Sequence, residues 1–243
     1  MLIACHMKVS KGVRIAREPV LSGFSIWGLL GILAAAVFLI IIVLLPSAMT
    51  GSHSRKASRV VCMTQLKQIS LAMLVWAEEN KMDFPMHVSF TNGGSKELTA
   101  RGWVAPTFWA ISNQLQTPTA VTCPDDKKRL PRADAFSSLT DRKISYFIHL
   151  DATLHEQKQD WVLLGDRHVA TNGVALPAGI DGVALPAGIV QIHDPQTVSW
   201  TTNIHQGQGN VALADGSVHQ VNSKRFRDVL KPITTVPHTL VMP

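Results

Sequence analysis

Residues 24–45 form one long hydrophobic run near the start of the chain, and none of these 22 residues is charged. At ~1.5 Å per residue, a helix of this length covers about 33 Å, which exceeds the ~30 Å hydrocarbon core of a bilayer. A core helix of a soluble protein would show a polar face, and this run shows none. A cleaved secretory signal usually has an apolar region of only ~7–15 residues. We therefore predict a single transmembrane helix over 24–45.

A second hydrophobic pattern, with helical spacing, follows in residues 46–80. Its apolar residues are spaced four, three, four and three positions apart, which places them on one stripe of a helix: Cys62, Leu66, Ile69, Met73 and Trp76. We expect Pro46 to kink the chain and the polar residues 47–54 to interrupt the apolar pattern briefly, with the second helix continuous with the first. The pattern then predicts an amphipathic continuation that ends near Asn80 and packs with its stripe against a domain core.

Short apolar runs in the C-terminal half of the chain are typical of strands rather than of helices. Residues 144–150 and 161–165 are two such runs, and 211–221 contains two more, joined by Asp215-Gly216. Asp-Gly between apolar runs indicates a two-residue hairpin turn in which both residues have positive φ. We interpret Asp215 as a turn-forming residue. The predicted fold class is α+β, with the long N-terminal helix packed on a small antiparallel sheet that includes this hairpin.

Two further features belong to residues 81–243, which we predict to be a globular head outside the membrane. Short helices are expected at 107–115 and 224–230. Residues 173–180 recur without change at 182–189, and the proline in each copy argues against a central strand. We interpret the duplication as a lengthened surface loop, either a neutral expansion or an exposed recognition patch.

The distribution of charge indicates an orientation and excludes one class of function. The formal net charge is +6, of which +3 lies in the basic leader at residues 1–23. The remaining excess is spread over the rest of the chain, so no basic face is indicated and nucleic-acid binding is not expected. The leader is too short for a domain and carries four basic residues, which favours a cytoplasmic N-terminus, although Arg55, Lys56 and Arg59 follow the span. We predict a single-pass protein of the inner (cytoplasmic) membrane.

No motif in the sequence indicates catalysis. The ten histidines include no H-E-x-x-H pair, and Cys62 and Cys123 lack the C-x-x-C spacing of zinc or redox sites. Nucleophile-elbow, phosphate-loop and dinucleotide fingerprints do not occur either. We therefore expect a non-enzymatic protein with no bound metal or other cofactor.

Several short motifs, taken in order, resemble those of one protein family. Gly23-Phe24 matches the cleavage junction of prepilins, whose basic leader ends in glycine. Residues 205–216 begin with histidine and end with Asp-Gly, which matches an H-X9-DG motif. Three further pieces resemble the family's cysteine-plus-NLRQIG, CPSD and GDR stretches: Cys62–Ile69, Cys123–Asp126 and Gly165–Arg167. The chain therefore resembles pseudopilin-like proteins with a prepilin-type N-terminus and an H-X9-DG domain, of the type II secretion and type IV pilin-like family.

The resemblance implies a pilin-like fold and a role as a subunit of a type II secretion or pilus-like envelope assembly. Its partners would be the lipid bilayer, other pilin-like subunits and the secretion machinery. Some pseudopilins bind calcium in their C-terminal loops, for which Asp125, Asp126 and Asp215 offer oxygen ligands here. Gly28 stands where the family has a glutamate linked to subunit docking. This difference favours the alternative function, a stand-alone membrane-anchored extracytoplasmic binding protein that does not polymerise.

Two structural hypotheses concern the head. Outside the cytoplasm, Cys62 and Cys123 are free to form a disulfide, and the alternative is two separately buried thiols. In the H-X9-DG motif, His205 precedes the first strand of the hairpin, where we expect its ring to hydrogen-bond that hairpin. We expect His205, Asp215 and Gly216 to stabilise the head rather than to catalyse a reaction.

Overall fold

The computed structural model divides the chain into two compact units, residues 1–50 and 51–243. It describes residues 26–129, 131–155, 160–176, 188–230 and 238–243, and for 43–56 it describes the backbone alone. The expected cleavage junction, Gly23 and Phe24, lies outside the described residues.

The longest element is helix α1 (Ile26–Glu79). The backbone stays helical past Pro46 and through the polar residues 47–54, in agreement with the expected continuation of the N-terminal helix. Proline in a helix interior removes one hydrogen bond and crowds the preceding turn, so the helix continues through Pro46 at a local energetic cost. The helix ends one residue before Asn80, and Lys81 then turns the chain with a left-handed φ of 59°.

The predicted stripe of α1 is buried in the head. Its five side chains are at most 6% exposed: Cys62, Leu66, Ile69, Met73 and Trp76. They belong to a core that also contains the buried aromatic side chains of Phe84, Phe108 and Tyr146. A large apolar side chain contributes about 1.5–3 kcal/mol when it is removed from water, so this stripe anchors the helix to the rest of the head.

One helical segment in the described part of the chain, Ala57–Glu79, is long and apolar enough to cross a membrane by length and composition. Half of the apolar 18-residue window within this segment is buried inside the head, as in the core helix of a soluble domain. Ile26–Ile42 is a shorter apolar helical segment, and its side chains are exposed. The chain thus carries helical sequence suited to a membrane anchor.

Four shorter helices occur in the described residues: α2 (Lys96–Thr99), α3 (Ala105–Ala110), α4 (Ser112–Leu115) and α5 (Ser223–Leu230). Single 3-10 turns lie between the helices and strands: Pro85–His87, Phe90–Asn92, Pro118–Val121, Lys127–Arg129, Phe136–Ser138, Asp141–Lys143 and Pro195–Thr197. The helix expected at 107–115 is divided at Ile111, whose ψ of 14° leaves the helical range. The last helix agrees with the expected 224–230 to within one residue.

The described residues contain nine strands in two antiparallel sheets. The strands are β1 (Tyr146–His149), β2 (Val162–Asp166), β3 (Val169–Thr171), β4 (Val174–Ala175), β5 (Ile189–Ile192), β6 (Val198–Trp200), β7 (Gln208–Leu213), β8 (Val218–Asn222) and β9 (His238–Val241). The larger sheet has the order β5-β9-β1-β2-β7-β8, and the smaller sheet has the order β4-β3-β6. The strands expected at 144–150 and 161–165 are β1 and β2, and the hairpin expected at 211–221 is β7–β8. The described chain is therefore a mixture of helix and antiparallel sheet, which is an α+β fold.

The smaller sheet has no counterpart in the sequence-based prediction, because its strands have only two or three residues. The first copy of the duplicated octapeptide supplies β4, and the second copy supplies Ile189, the first residue of β5. Both are edge strands, the position that tolerates a nearby proline. The interpretation of the duplication as a loop is therefore wrong at its two ends. Residues 177–187, between them, lie outside the described residues.

The larger sheet is buried on both faces. Tyr146 and Ile148 of β1 belong to the core around α1, whereas Phe147 belongs to a second core shared with the smaller sheet and α5. In this second core, Trp200 stacks on Phe226 with ring centroids 4.3 Å apart. Alternate side chains of a strand point to opposite faces, so a strand between two layers is hydrophobic throughout. The continuous apolar run that predicted β1 follows from this position between two layers.

The turn of the β7–β8 hairpin differs from the predicted two-residue type. The Gly216 N–H donates to the Leu213 carbonyl over 2.9 Å, and the Leu213 N–H donates to the Ser217 carbonyl over 2.9 Å. Gly216 has a φ of 81°, whereas Asp215 is not among the residues with positive φ, so that expectation is wrong. This is a three-residue loop in which a type I turn precedes a left-handed glycine. Asp215 is exposed, and its Oδ1 accepts from the Ser217 N–H over 2.8 Å.

Replacing Gly216 with valine is expected to reduce the free energy of unfolding more than replacing Asp215 with asparagine. A β-branched residue at positive φ is strained by about 1–3 kcal/mol, and a Cβ at Gly216 would lie 2.7 Å from Leu74 Cδ1. Asparagine keeps the oxygen that accepts from Ser217, so Asp215→Asn should change stability by less than about 0.5 kcal/mol. Denaturant titration of both variants of the full chain, in detergent, measures the difference. A larger, calcium-dependent loss for Asp215→Asn would contradict a turn-forming role.

Candidate functional site

A buried polar cluster lies where α1, the turn at residues 123–126, the end of β2 and the chain around the start of β7 meet. We call it the Cys–His–Asp cluster and define it by eight residues: Cys62, Cys123, Asp125, Asp126, Asp166, Arg167, His205 and Asn210. All of them except Asp125 are more than nine-tenths buried. Buried charges and unpartnered polar groups destabilise a fold, and they concentrate at functional sites. The cluster is therefore the candidate site of this protein.

A disulfide joins Cys62 of α1 to Cys123, which lies 61 residues later in the chain. The two Cα atoms are 5.3 Å apart, within the usual range for a disulfide. Cys123 begins a turn with Pro124 in the second position, which the Asp126 N–H closes by donating to the Cys123 carbonyl over 3.0 Å. The turn thereby holds the sulfur against α1 and sets Asp125 and Asp126 beside it.

The backbone around His205 is strained. His205 and Gln206 have positive φ angles of 53° and 57°, and Gly207 follows with 78°. A non-glycine residue in this region costs about 1–3 kcal/mol and persists only where its surroundings hold it. Arg59 of α1 does so here, because its Nη2 donates to the His205 carbonyl over 2.9 Å. The loop conformation places the His205 ring in the core.

The imidazole of His205 is buried between two carboxylates and the disulfide. Its Nδ1 lies 3.1 Å from Asp125 Oδ2, and its Nε2 lies 3.6 Å from Cys123 Sγ and 3.7 Å from Asp166 Oδ2. These contacts replace the expected hydrogen bond from the ring to the hairpin, because the left-handed loop turns the ring towards the disulfide. Burial is the main reason that the pKa of His205 lies below its usual value; Asp125 opposes this shift and Arg59 adds to it.

Asp166, at the end of β2, is 2% exposed. Its Oδ2 accepts from the backbone N–H of Asn210 over 2.7 Å and from the Asn210 side chain over 3.0 Å, whereas its Oδ1 has no hydrogen-bond partner. Burial raises the pKa of Asp166 to about 7; the hydrogen bonds from Asn210 oppose this shift, and the charge of Asp126 adds to it. A carboxylate oxygen without a protein partner is rare in the core of a native structure, and such an oxygen commonly contacts a bound ion or an ordered water.

Asp126 and Arg167 form a buried, bidentate ion pair. Arg167 Nε donates to Oδ2 of the carboxylate over 2.6 Å, and Nη2 donates to Oδ1 over 2.8 Å. Burial by itself would raise the pKa of Asp126, but the hydrogen bonds and charge of Arg167 hold it below its usual value. Both carboxylate oxygens are occupied, which removes Asp126 from the expected calcium ligands.

Asp166 should make stability decrease as the pH rises from 5 to 7. The ordinary pKa of the group is 3.8 and its pKa in the folded chain is about 7, so the folded state binds one proton more than the unfolded state over this range. Linkage then predicts that the free energy of unfolding falls by about 2 kcal/mol between pH 5 and pH 7 through this group. Asp166→Asn removes the titration, so the stability of the variant relative to the wild type should increase with pH.

Equilibrium denaturation of the disulfide-bonded protein at pH 5, 6 and 7, with a chelator present, measures this relative stability. His205 contributes the opposite trend, because its lowered pKa makes stability fall as the pH drops below the ordinary value of 6.5. Because His205 lies 3.7 Å from Asp166, the comparison reports the loss of the Asp166 carboxylate together with its effect on this neighbouring imidazole. A stability difference that stays constant from pH 5 to pH 7 would contradict the raised pKa.

The other end of the H-X9-DG motif lies apart from the cluster. Asp215 and Gly216 form the tip of the hairpin, where Lys67 Nζ donates to the Gly216 carbonyl over 2.7 Å. Of the residues that define the motif, His205 alone belongs to the Cys–His–Asp cluster. Among the described residues, none of the three aspartates expected as calcium ligands belongs to a group of three close ligand atoms.

Other histidines are distributed over the fold. His149 of β1 and His238 of β9 form a buried pair, with Nε2 of the first 3.3 Å from Nδ1 of the second. The Nδ1–H of His149 donates to the Val162 carbonyl over 2.7 Å. Burial lowers the pKa of His238 to about 4 and the pKa of His168 to about 3, so both are neutral at pH 7. The contacts of His149 link β1 with β2 and with β9.

Sequence reasoning missed Arg59, Gln65 and Asn210. Gln65 accepts a hydrogen bond from the Tyr146 hydroxyl over 2.8 Å and donates to the Thr122 carbonyl over 3.2 Å, so it connects α1 with β1 and with the turn that carries Cys123. The sequence could have indicated Gln65 by its position beside the buried stripe of α1, because a polar side chain there needs a hydrogen-bond partner. No local sequence pattern identifies Arg59 or Asn210 as residues of the site.

The Cys–His–Asp cluster combines sulfur, imidazole and carboxylate groups with little access to solvent. Its most exposed member is Asp125, whose side chain is 22% exposed. Groups of these types transfer protons and bind divalent metals, and burial of this degree suits an ion rather than an organic substrate. No protein-family model, curated protein or solved structure matches this chain.

Proposed function

We propose that this protein is a non-enzymatic, pseudopilin-like subunit of a type II secretion or pilus-like assembly, held in the inner membrane by one N-terminal helix. The observation that carries the proposal is the division of α1. Its segment Ile26–Ile42 exposes apolar side chains throughout, and its segment Ala57–Glu79 contributes to the core of an α+β head. A helix that serves first as an anchor and then as the spine of a head is the arrangement that the prepilin-type motifs imply.

The anchor is assigned to residues 24–45 rather than to Ala57–Glu79. The latter carries the buried stripe, whose removal from the core would forfeit on the order of 10 kcal/mol of apolar burial. In Ile26–Ile42, by contrast, large side chains such as Trp27 and Phe38 are 82% and 64% exposed. A continuous apolar surface of this kind is unfavourable in water and suited to a bilayer.

The exposed apolar face of α1 supports a role in assembly. Val60, Val61, Leu71 and Val75 are 45–61% exposed, although they belong to the helix that forms the core. Apolar side chains grouped on an exposed face are typical of surfaces that contact another protein. A second copy of α1 is the partner that we assign to this face.

The disulfide supports a head outside the cytoplasm. Disulfides form and persist in oxidising compartments and are rare in the cytosol. The bond between Cys62 and Cys123 is buried in the head and joins two elements of its core. The basic leader at residues 1–23 favours the opposite, cytoplasmic side for the N-terminus.

Intact-mass measurement of the protein purified from its native membrane tests the processing step. We expect the mature N-terminus at Phe24, with Cys5 removed together with the leader. In a Gly23→Val variant the leader should be retained, because the residue before the cleaved bond is altered. Wild-type protein that still carries residues 1–23 would contradict prepilin-type processing.

Cysteine cross-linking in native membranes tests assembly. In a Cys5→Ser background, Leu71→Cys and Val75→Cys should yield dimers and higher oligomers with a bifunctional thiol reagent. Lys224→Cys, on the exposed face of α5, is the control and should remain mainly monomeric. Monomers alone from the α1 variants would contradict assembly and support the stand-alone binding protein, the function that Gly28 favours.

A further inference from the structure

The Cys–His–Asp cluster contains the ligand set of a zinc site, although its two cysteines are joined as a disulfide. We propose that the reduced chain binds one Zn²⁺ through the Sγ atoms of Cys62 and Cys123, the Nε2 of His205 and the carboxylate of Asp166. Zinc in proteins is held by four ligands drawn from thiolates, imidazoles and carboxylates. This site goes beyond the proposed role in assembly and does not depend on it.

Part of the spacing between the ligand atoms already matches a tetrahedral zinc site. The two sulfurs and a ring nitrogen of His205 all lie within 4.8 Å of one another. His205 Nε2 is 3.6 Å from Cys123 Sγ and 3.7 Å from Asp166 Oδ2. With Zn–N, Zn–S and Zn–O bonds of ~2.05, ~2.3 and ~2.1 Å, tetrahedral geometry requires about 3.6 Å for the first pair and about 3.4 Å for the second. Two pairs, Cys123 with His205 and His205 with Asp166, therefore already have nearly the required spacing. Asp166 lies outside the group formed by the two sulfurs and the imidazole, so it must approach Cys123 while the two sulfurs separate on reduction.

The orientation of His205 is that of a metal ligand. Its Nε2 lies 3.6 Å from Cys123 Sγ, while its Nδ1 lies 3.1 Å from Asp125 Oδ2 but makes no hydrogen bond to it in this geometry. Metal-binding histidines almost always direct their second ring nitrogen at a carboxylate, a carbonyl or a water, which fixes the tautomer and leaves the first nitrogen free to bind. The strained loop around His205, held by Arg59, keeps the ring in this orientation.

Asp166 gives a second, independent indication of a ligand. It is 2% exposed, and its Oδ1 has no hydrogen-bond partner. Its Oδ2 is held by two hydrogen bonds from Asn210, as the carboxylate ligands of metal sites commonly are. A divalent cation beside this carboxylate would compensate the buried negative charge.

Reduction of the disulfide must precede zinc binding. With a phosphine as reductant, two electrons pass to the S–S bond, and a water molecule supplies two protons to the sulfurs and its oxygen to the phosphine, which becomes a phosphine oxide. Zn²⁺ then displaces the two thiol protons to solvent and binds the thiolates. The disulfide form and the zinc form exclude each other, because they use the same sulfur atoms.

The zinc content of the full-length protein in detergent tests the proposal. A Cys5→Ser background removes the third cysteine. After reduction with a phosphine, dialysis against Zn²⁺ and elemental analysis should give one more zinc per chain than the same protein left oxidised. With Co²⁺, the reduced form alone should show a thiolate-to-cobalt charge-transfer band. Equal metal content in the reduced and oxidised proteins would overturn the proposal.

Two histidine variants form a matched pair that tests the ligand assignment. Reduced His205→Ala should bind zinc at least about 10-fold more weakly, whereas His219→Ala, at an exposed position of the hairpin, should bind it as the wild type does. Circular dichroism of the oxidised variants shows that each is folded before reduction. Asp125→Asn alters the carboxylate next to His205 Nδ1 and should weaken zinc binding by about 10–100-fold. If His205→Ala does not fold, the zinc affinity of Asp125→Asn tests the ligand assignment instead. Unchanged affinity in the deciding variant would overturn the assignment.

Discussion

Replacing Arg167 with methionine should lower the free energy of unfolding by about 3–5 kcal/mol. The guanidinium of Arg167 occupies both oxygens of Asp126, whose side chain is 1% exposed. Without that partner the carboxylate is left charged and uncompensated in the core, and desolvation then opposes folding. Methionine is a flexible side chain that fills irregular space, so the loss mainly reflects the charge rather than a cavity. Denaturant titration of the full chain in detergent at pH 7 measures it.

Two further variants separate the ion pair from general effects of the substitution. Arg225→Met, at an exposed position of α5, is the matched control and should change the free energy of unfolding by less than about 0.5 kcal/mol. Combining Arg167→Met with Asp126→Leu removes both charges and should recover most of the loss, because apolar replacement of a buried ion pair is often neutral. A loss for Arg167→Met no larger than that of the control would contradict a structural role for the pair.

Removing the disulfide between Cys62 and Cys123 should lower the free energy of unfolding by about 4 kcal/mol. The bond closes a loop of 61 residues, and its loss restores the conformational freedom of that loop in the unfolded chain. The measurement compares the Cys62→Ala/Cys123→Ala double variant with the wild type by denaturant titration. A chelator in the buffer keeps bound metal from contributing.

The third cysteine supplies the control for this comparison. Cys5→Ala leaves the disulfide intact and should not change the free energy of unfolding of the head. Alkylation of the unreduced wild type should leave Cys62 and Cys123 unlabelled. Labelling of both sites, together with a double variant as stable as the wild type, would show that they are separately buried thiols.

The elements that sequence analysis predicted well are those whose burial depends on residues close together in the chain. The stripe of α1 is an example, because spacings of three and four residues place side chains on one face of any helix. The β7–β8 hairpin is another, since its two strands are adjacent in sequence. The type of turn that joins the two strands was not predicted correctly. It depends on the register that pairs Ala212 with Val218, and Asp-Gly is compatible with both loop lengths.

The smaller sheet shows where local pattern ceases to be informative. β3, β4 and β6 have two or three residues each, too few for an alternation of apolar and polar positions to be recognised. β3 and β6 form strands because Val169, Val198 and Trp200 pack in the core that they share with the larger sheet and α5, and β4 is an exposed edge strand that pairs with β3. This is a tertiary constraint, and the pairing of β3 with β6 joins residues about thirty positions apart.

The sequence by itself determined an apolar segment suited to a membrane, an amphipathic helix with a defined buried face, and a hairpin closed by Asp-Gly, because each depends on local periodicity or turn chemistry. The tertiary structure alone decided that Cys62, Cys123 and His205 meet beside Asp166. These residues come from four separate parts of the chain, and no spacing in sequence connects them. Their approach depends on the packing of α1 against β2 and β7, and the left-handed backbone at His205 then directs its ring inward. The role of His205 therefore depends on contacts formed by packing, and the residues next to it in sequence do not reveal that role.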